Sequence, residues 1–391
     1  MKRRNFLELG AAGIWGMTLG GWMPKTAQAD PEMWIAEPFH GAVLNRRHGK
    51  EADGALWIDV RGEAPLRDTV IVNGRPARRE GRRFTATIPL RDMETDITAV
   101  AEGSQGRREH RVRVVWDRHS FPRYRFSIDD NSFFLRDIAQ KQYASLFDCF
   151  YLNILRDLHA KYGARFVLNI YYTTGGDFSL PQFPDKYKGE WQDNAEWLRL
   201  AFHAHANLPD RPYQYASAEQ LLHDLDQVAE QIHRFAGKSV YTPPTVIHWA
   251  MTQPGAFKAL AGRGVRTLSG YFSRVPSGWD INYLLEDDRS DYLSRHDALK
   301  DFDSGIVFSR VDIICNSTPI ERIIPTLEPL TRDPNTAEIM DLFTHEQYFW
   351  PFYSNYLPDH AQRLDTAIRW VTEQGYQPVF FHEGLLGAPV G

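Results

Sequence analysis

Two adjacent aspartates, Asp129 and Asp130, follow a short apolar run in the stretch RFSIDDNSFF. Two carboxylates so close together repel each other, and both ionise readily only when a cation or a hydrogen-bond donor lies between them. A divalent metal held by one of them would leave the other free to act as a base. The simpler interpretation is a helix cap, in which Asp130 or Asn131 accepts backbone hydrogen bonds.

Histidines end other apolar segments of the chain. In AFHAHAN, His203 and His205 lie two residues apart, so an extended strand would point both side chains at one ion. A turn directly after His203 would bring Asn207 to the ion instead. The segment FTHEQYFW contributes His345 and Glu346, an acid–base pair beside a run of aromatic residues.

Aromatic and histidine side chains near these groups are candidates for binding a substrate. Tyr348 belongs to the aromatic run, whose ring faces suit sugar rings but are equally typical of a core. His248 and Trp249 end the apolar segment TVIHW, and His382 ends VFFHEG near the end of the sequence. We therefore treat His248, Trp249, Tyr348 and His382 as candidate substrate-binding residues. His248 is also an alternative to His205 or Asn207 as the third metal ligand.

Alternating strands and helices over residues 121–391 must position these groups. Apolar runs such as RYRFSIDD and ARFVLNIYY indicate strands, and helical spacing indicates a helix from about residue 140 to 162. The sequence also predicts a second helix that Ser217 caps at its start and Gly237 ends. Alternation of this kind predicts an α/β fold with a parallel sheet. Seven or eight units predict a deformed (β/α) barrel, in which chemistry lies at the carboxyl ends of the strands.

The preceding part of the chain has a different pattern. Short alternating segments between residues 30 and 120 predict an immunoglobulin-like β-sandwich that acts as a packing or binding module. Residues 1–29 carry a basic start, an apolar middle and an A-x-A cleavage site, which predict a signal peptide of the twin-arginine type. We therefore expect a periplasmic or secreted protein.

Composition narrows the function classes further. With 43% hydrophobic residues the chain can build a large core, and a net charge of -5 gives no reason to expect nucleic acid as a partner. After the signal peptide, no apolar run is long enough to span a membrane. The two cysteines, Cys149 and Cys315, could form one disulfide or stay as buried thiols.

The order of these features resembles the polysaccharide deacetylase family of carbohydrate esterases, known as the NodB-homology family, over residues 122–385. The resemblance implies that Asp129 is a general base and Asp130 a metal ligand. It also implies that His203 binds the metal, and the family's second metal histidine corresponds here to Asn207 unless His205 takes its place. The Arg-x-Pro-Tyr motif of the family does not occur at its expected position.

The same resemblance makes His345 the general acid, with Glu346 orienting it or contacting the sugar. It implies an exported hydrolase that uses a divalent metal, preferably Zn²⁺, to remove acetyl groups from a polysaccharide or oligosaccharide. Two alternatives stay open: a glycoside hydrolase that uses Asp129 or Asp130 with Glu346, and a carbohydrate-binding protein without activity.

Overall fold

The structure is a computed structural model that describes residues 33–104 and 106–383. The predicted signal peptide and its cleavage site lie outside the described residues. The described chain divides into two compact units. The first unit comprises residues 33–38, 59–88 and 97–112, and the second comprises residues 39–58, 89–96 and 113–383. A compact unit is not by itself an independently folding domain, so the boundary expected near residue 120 stays a prediction.

The segments that alternate in sequence before residue 117 form strands. They are β1 (Trp34–Glu37), β2 (Val43–Leu44), β3 (Lys50–Ala52), β4 (Ala55–Glu63), β5 (Thr69–Val72), β6 (Arg75–Pro76), β7 (Arg78–Glu80), β8 (Arg83–Leu90), β9 (Glu94–Gly103) and β10 (Gly106–Trp116). One sheet has the order β1-β4-β8-β7 with β3 beside β4, and another has the order β2-β10-β9-β5-β6. Strand β8 alternates buried and more exposed residues, as expected when one face of a sheet is covered. An immunoglobulin-like sandwich stays a prediction.

A six-stranded parallel sheet lies at the centre of the second unit. Its strands are β11 (Arg123–Asn131), β12 (Phe166–Tyr171), β15 (Leu198–Ala204), β21 (Ile313–Ile314), β22 (Ile339–His345) and β23 (Gln377–Pro378). The order is β15-β12-β11-β22-β21, with β23 also beside β11. Every residue of β12 is buried, as is usual for parallel strands covered on both faces. Because these strands run the same way, their carboxyl ends meet at one edge.

Three smaller sheets complete the second unit. Their strands are β13 (Thr173–Thr174), β14 (Phe178–Ser179), β16 (Thr267–Gly270), β17 (Ser273–Val275), β18 (Gly278–Asp280), β19 (Ala298–Lys300) and β20 (Val307–Arg310). Strands β16 and β20 are parallel neighbours, and β19 pairs with β20 in the antiparallel sense. Isolated backbone hydrogen bonds lead from the six-stranded sheet towards β16. The Leu200 N–H donates to the Val240 carbonyl, the Thr242 N–H donates to the Leu200 carbonyl, and the Ser269 N–H donates to the Thr245 carbonyl.

Eight α-helices lie among the described residues of the second unit. They are α1 (Phe133–Lys141), α2 (Phe150–Tyr162), α3 (Lys188–Asp193), α4 (Ala218–Phe235), α5 (Phe257–Gly262), α6 (Asp287–Leu293), α7 (Ile320–Leu327) and α8 (His360–Glu373). Among the described residues, no helix combines the length and the apolar character that crossing a bilayer requires. The mixed α/β class expected from sequence is therefore confirmed.

The helix ends agree only partly with the sequence pattern. Ser217 accepts a hydrogen bond from the Gln220 N–H at 3.1 Å and so caps α4, as predicted. Helix α2 ends at Gly163, whose φ of 68° lies in the left-handed region that favours glycine. The prediction that this helix begins near residue 140 was wrong, because α2 begins only at Phe150. A short 3-10 turn over Leu146–Asp148 precedes it, and this turn has its own capping box at Ser145.

Candidate metal centre

The carboxyl edge of the six-stranded sheet brings the sequence-predicted groups together. Asp129 and Asp130 end β11, His203 lies at the end of β15, and His345 is the last residue of β22. Asp129 and His345 are direct partners in the parallel register of β11 and β22, so they share one face of the sheet. The general base and general acid expected from the resemblance are therefore neighbours.

A β-bulge at the end of β11 separates the two aspartates. Ile128 pairs with Leu168 of β12, whereas Asn131 pairs with Ile170, so β11 contains one extra residue in this interval. Asp130 has a φ of 59°, a left-handed conformation that aspartate tolerates better than most residues. A bulge re-aims a side chain that would otherwise point to the opposite face of its strand. Neighbouring residues can thus both reach the carboxyl edge.

A second bulge re-aims His203. Ile170 of β12 pairs with Phe202, but the next residue, Tyr171, pairs with Ala204, so His203 is the extra residue of β15. His203 is buried, and its Nε2 lies 3.1 Å from Asp130 Oδ1. Asp130 and His203, which approach each other here, therefore both lie at β-bulges. Beta-bulges are frequent next to active sites for this reason.

Three ligand atoms form a triangle with the dimensions of a metal site. His203 Nε2 lies 3.1 Å from Asp130 Oδ1, His248 Nδ1 lies 2.9 Å from His203 Nε2, and His248 Nδ1 lies 3.4 Å from Asp130 Oδ1. In a tetrahedral zinc site with bonds of about 2.0–2.1 Å, the ligand atoms lie roughly 3.3 Å apart. These residues fit a divalent cation, because one carboxylate and two imidazoles leave the fourth position open for substrate or water.

Two of the three groups in the triangle, His248 and Asp130, have protonation states that suit metal ligation. Burial and the neighbouring His203 lower the pKa of His248 to about 3, so this imidazole is neutral at physiological pH. Burial by itself would raise the pKa of Asp130, but the hydrogen bond from His203 and the nearby histidines hold that pKa well below its usual range. Metal ligands must be deprotonated to bind, and these two groups meet this condition. Burial lowers the pKa of His203, but Asp129 and Asp130 raise it above its usual value, so a cation would bind there in exchange for a proton.

His248 replaces His205, which we expected as a ligand. Strand β15 ends at Ala204, so the extended geometry needed to align positions 203 and 205 does not continue. The His205 ring stacks on Tyr172, with ring centroids 5.0 Å apart and an angle of 18° between the planes. His248, which we expected to contact substrate or to replace His205 as a ligand, enters the triangle from a 3-10 turn over His248–Ala250.

Two donors that sequence reasoning missed hold the Asp130 carboxylate. The Tyr171 hydroxyl donates to Oδ1, and Gln347 Nε2 donates to Oδ2 at 2.6 Å. Tyr171 also lies 3.3 Å from His248 Nδ1 and 3.4 Å from the amide oxygen of Asn207. Partners of this kind orient a ligating carboxylate. The alternation of β12 contained the signal for Tyr171, since it lies two residues after Asn169, which also faces the site.

Asp129 and His345 each keep one atom available for proton transfer. Asn169 Nδ2 donates to Asp129 Oδ1 at 2.6 Å, and Asp129 Oδ2 lies 4.0 Å from His203 Nε2. His345 Nδ1 lies 3.0 Å from the Asn316 amide oxygen, which fixes this nitrogen as the donor. The Nε2 atom of His345 is then the ring position that can exchange a proton with a bound substrate.

Glu346 serves as a helix cap. Its carboxylate accepts hydrogen bonds from the backbone N–H groups of Ser132, Phe133 and Phe134 at 2.6, 2.9 and 2.6 Å, and from Trp350 Nε1 at 3.0 Å. Burial raises the pKa of Glu346 to about 7, a property typical of catalytic acids, but both oxygens are already used. The predicted orienting or sugar-binding role is therefore not supported by its contacts. Glu346 instead ties the segment after β11 to the segment after β22.

The contact between Glu346 and the start of α1 also argues against the interpretation of Asp130 or Asn131 as a helix cap. Helix α1 begins after Ser132, and its free N–H groups bond to Glu346. Asp130 directs its carboxylate at Tyr171, His203 and Gln347, and Asn131 bonds to backbone carbonyls and Tyr151. Neither side chain caps the helix.

The remaining predicted residues lie in different places. Trp249 follows His248, and the Arg211 guanidinium lies over its ring at 4.7 Å from the centroid. The Tyr348 ring lies 6.1 Å from that of His345, beside the site. His382 contacts the Thr242 hydroxyl at 3.1 Å and Arg199 at 3.3 Å. Arg199 precedes His203 by four residues on β15, about 13 Å along the strand. His382 therefore lies away from the metal centre.

Both cysteines are free and buried, so the disulfide alternative does not apply to them. Burial raises the pKa of each thiol to about 12. Inert thiols of this kind pack like small apolar side chains.

No protein-family model and no curated protein matches the chain. Similar solved structures include the 4-alpha-glucanotransferase of Thermococcus litoralis, at 13% identity over 67% of this chain and 40% of that chain, with a TM-score of 0.44. They also include the family 4 acetyl xylan esterase of Clostridium thermocellum in complex with a cobalt ion, at 13% identity over 66% of this chain and 86% of that chain, with a TM-score of 0.32. A third is the peptidoglycan deacetylase PdaC of Bacillus subtilis, at 12% identity over 66% of this chain and 87% of that chain, with a TM-score of 0.30. At these TM-scores the likeness carries no functional argument.

The triangle predicts that Asp130→Ala abolishes metal binding. Removing the carboxylate of the triangle leaves two imidazoles, too few ligands to hold a divalent cation in a tetrahedral site. Elemental analysis of the purified protein should find no bound metal in this variant. The exposed Asp193→Ala is the matched control and should keep the wild-type metal content. Full metal occupancy in Asp130→Ala would disprove the site.

The Glu346 contact predicts a coupled effect on stability and on metal affinity. Glu346→Gln puts an amide NH₂ against backbone donors, so buried N–H groups lose their acceptor at a cost of about 1–3 kcal/mol. Metal affinity should fall as well, because the segments that carry Asp130 and Gln347 lose their connection. Urea denaturation and metal titration measure the two effects. Exposed Glu373→Gln should change neither, and a normal metal affinity in Glu346→Gln would contradict the positioning role.

Proposed function

We propose that this protein is a divalent-metal-dependent hydrolase that removes acetyl groups from a polysaccharide or oligosaccharide. The observation that carries the proposal is the ligand triangle of Asp130, His203 and His248 beside the in-register pair of Asp129 and His345. A metal site next to one base and one acid is the arrangement that metal-assisted hydrolysis requires.

The residues of the site would divide the reaction among them. A divalent cation held by the triangle supplies Lewis-acid polarisation of the acetyl carbonyl. Asp129, oriented by Asn169, accepts the proton of the attacking water. His345 delivers a proton to the departing amine or alkoxide of the sugar, because its Nδ1 is occupied by Asn316 and its Nε2 is not.

Zinc is the preferred ion, since it accepts mixed nitrogen and oxygen ligands in tetrahedral sites. Other divalent ions suit the same donors, so the ion is part of the proposal. The chain's resemblance to the NodB-homology family is consistent with this chemistry, with His248 taking the place of the family's second metal histidine. Because His248 provides a second histidine, the alternative of a carbohydrate-binding protein without activity is less well supported.

The fold that we propose for the catalytic unit is a deformed (β/α) barrel. The isolated backbone hydrogen bonds of Leu200 with Val240 and Thr242, and of Ser269 with Thr245, support it, because they continue the hydrogen-bonding from β15 to β16 across an irregular segment. Val311 and Asp312 make similar bonds to Gly270 and Asp341, which link the β16 region back to β22. Export through a twin-arginine signal, to the periplasm or beyond, is supported only by the pattern of residues 1–29.

The glycoside hydrolase alternative is less well supported. It needs two carboxylates free to flank a sugar bond. Glu346, the expected partner of Asp129 or Asp130, is buried and accepts four hydrogen bonds from the cap of α1 and from Trp350. Its oxygens are not free for acid–base work, whereas the histidines are accounted for only by the metal-dependent reaction.

Chelation should distinguish these functions. Treatment with a chelator should lower acetate release from acetylated oligosaccharides by about 100-fold or more, since the ion contributes several kcal/mol to catalysis. Added Zn²⁺ should restore the activity. A glycoside hydrolase would keep its rate of bond cleavage after chelation, and a binding protein would release no acetate at any stage.

Substitutions of the two aspartates should have different effects, because Asp130 is proposed to bind the metal and Asp129 to act as the base. Asp129→Asn preserves the size of the side chain but cannot accept a proton, so we expect full metal content with kcat lowered by about 10²–10⁴. His345→Ala should also retain metal, and its effect should be largest for substrates with poor leaving groups. Elemental analysis and acetate release measure both quantities. Near-normal kcat in Asp129→Asn would exclude it as the base.

A further inference from the structure

A row of aromatic rings extends from the candidate acid His345 to the protein surface. The Tyr348 ring lies 6.1 Å from His345 and 5.5 Å from Tyr353, measured between ring centroids. Tyr353 lies 6.5 Å from Phe133, and Phe133 lies 5.1 Å from Phe352. We call Tyr348, Tyr353, Phe133 and Phe352 the aromatic row. It is continuous, because each ring contacts the next.

The outer end of the aromatic row is exposed. Phe352 has 60% of its surface accessible, while Phe133, Tyr348 and Tyr353 are half-buried. Fully burying a phenyl ring contributes about 1.5–3 kcal/mol, and Phe352 leaves more than half of this contribution unused. Contiguous apolar surface that a protein leaves exposed often marks a binding site.

The same segment also contributes two buried rings, and one of them, Trp350, borders the aromatic row, with its ring centroid 6.2 Å from that of Phe133 and 5.4 Å from that of Phe352. Phe349 and Trp350 each have 4% of their surface accessible, and Phe349 packs on Tyr151 with ring centroids 5.2 Å apart. The 3-10 turn over Glu346–Phe349 therefore separates aromatic residues into an inward set and an outward set. Tyr348 belongs to the outward set together with the later Phe352 and Tyr353.

Charge near the aromatic row is balanced. The Arg136 guanidinium lies over Phe133 and Phe352, at 5.1 and 5.6 Å from the ring centroids. Its Nη1 lies 3.6 Å from a carboxylate oxygen of Asp177, which offsets the positive charge. Because Asp177 neutralises the charge of Arg136, this cation attracts an anionic chain only weakly. The aromatic row therefore favours a neutral ligand.

We infer that the aromatic row binds consecutive units of a neutral polysaccharide chain whose acetylated unit lies at the metal centre. The C–H face of a sugar ring carries a small positive charge and packs on the negative face of an aromatic ring. Rings that succeed one another from His345 outward would hold several sugar units, so a polymer is bound better than a short oligosaccharide. This inference rests on the proposed function, because it assigns the substrate class of the same site.

Chain-length dependence tests the inference. The test compares kcat/KM for an acetylated xylohexaose and an acetylated xylobiose, and takes the ratio of the two values. Phe352→Leu keeps an apolar side chain but removes the ring, and it should lower this ratio about tenfold, which corresponds to about 1.4 kcal/mol. Phe352→Tyr keeps the ring and should retain the wild-type ratio. Trp34→Leu removes an exposed aromatic ring of the first unit and should also retain the wild-type ratio.

Equilibrium binding separates this inference from the proposed function. Unacetylated xylohexaose and chitohexaose are titrated into the full chain, with a polygalacturonate hexamer as the anionic comparison. At least one neutral hexamer should bind, and Phe352→Leu should weaken that binding about tenfold, even if the protein releases no acetate from any substrate. Absence of acetate release alone would therefore reject only the proposed function.

Two results would overturn the inference. One is a Phe352→Leu variant that matches the wild type in both the length ratio and hexamer binding. The other is tighter binding of the polygalacturonate hexamer than of either neutral hexamer, which would show that the ligand is an anionic chain.

Discussion

The β-bulge at the end of β11 is the constraint on which the site depends. In a regular strand, Asp129 and Asp130 would point to opposite faces of the sheet, and only one could reach the carboxyl edge. The left-handed conformation of Asp130 breaks this alternation. One carboxylate can then join the histidines while its neighbour stays beside His345. The close spacing of two like charges is tolerated because different donors hold each of them.

Long-range hydrogen bonds keep this irregular backbone in place. Gln347 and Tyr171 hold the two oxygens of Asp130, and Glu346 holds the start of the helix that follows. Gln347 and Glu346 both come directly after β22, the strand paired with β11 in register. The two segments that carry the proposed base and acid are thus connected to each other in several places. Rigid support of this kind maintains a site at the geometry that its chemistry requires.

The surroundings of the site differ on its two sides. Towards His248, Trp249 packs against Arg211, which is itself paired with Asp280 at 2.8 Å through its second nitrogen. Towards His345, the aromatic row leads outward to Phe352. The candidate metal centre adjoins the first surface through His248, and the second surface adjoins the candidate acid His345 through Tyr348.

The sequence by itself determined the α/β class, most strand positions and the groups at the strand ends. Asp129, Asp130, His203 and His345 could be identified because each follows an apolar run, and burial of such runs is a local, periodic property. Only the tertiary structure decided the third ligand. His248 follows an irregular segment, and neither a bulge nor a turn leaves a periodic signal that would place it rather than His205. The same holds for Glu346, whose partners lie more than 200 positions away in sequence. Contacts over such separations depend on how the whole sheet is assembled, and local patterns do not encode them.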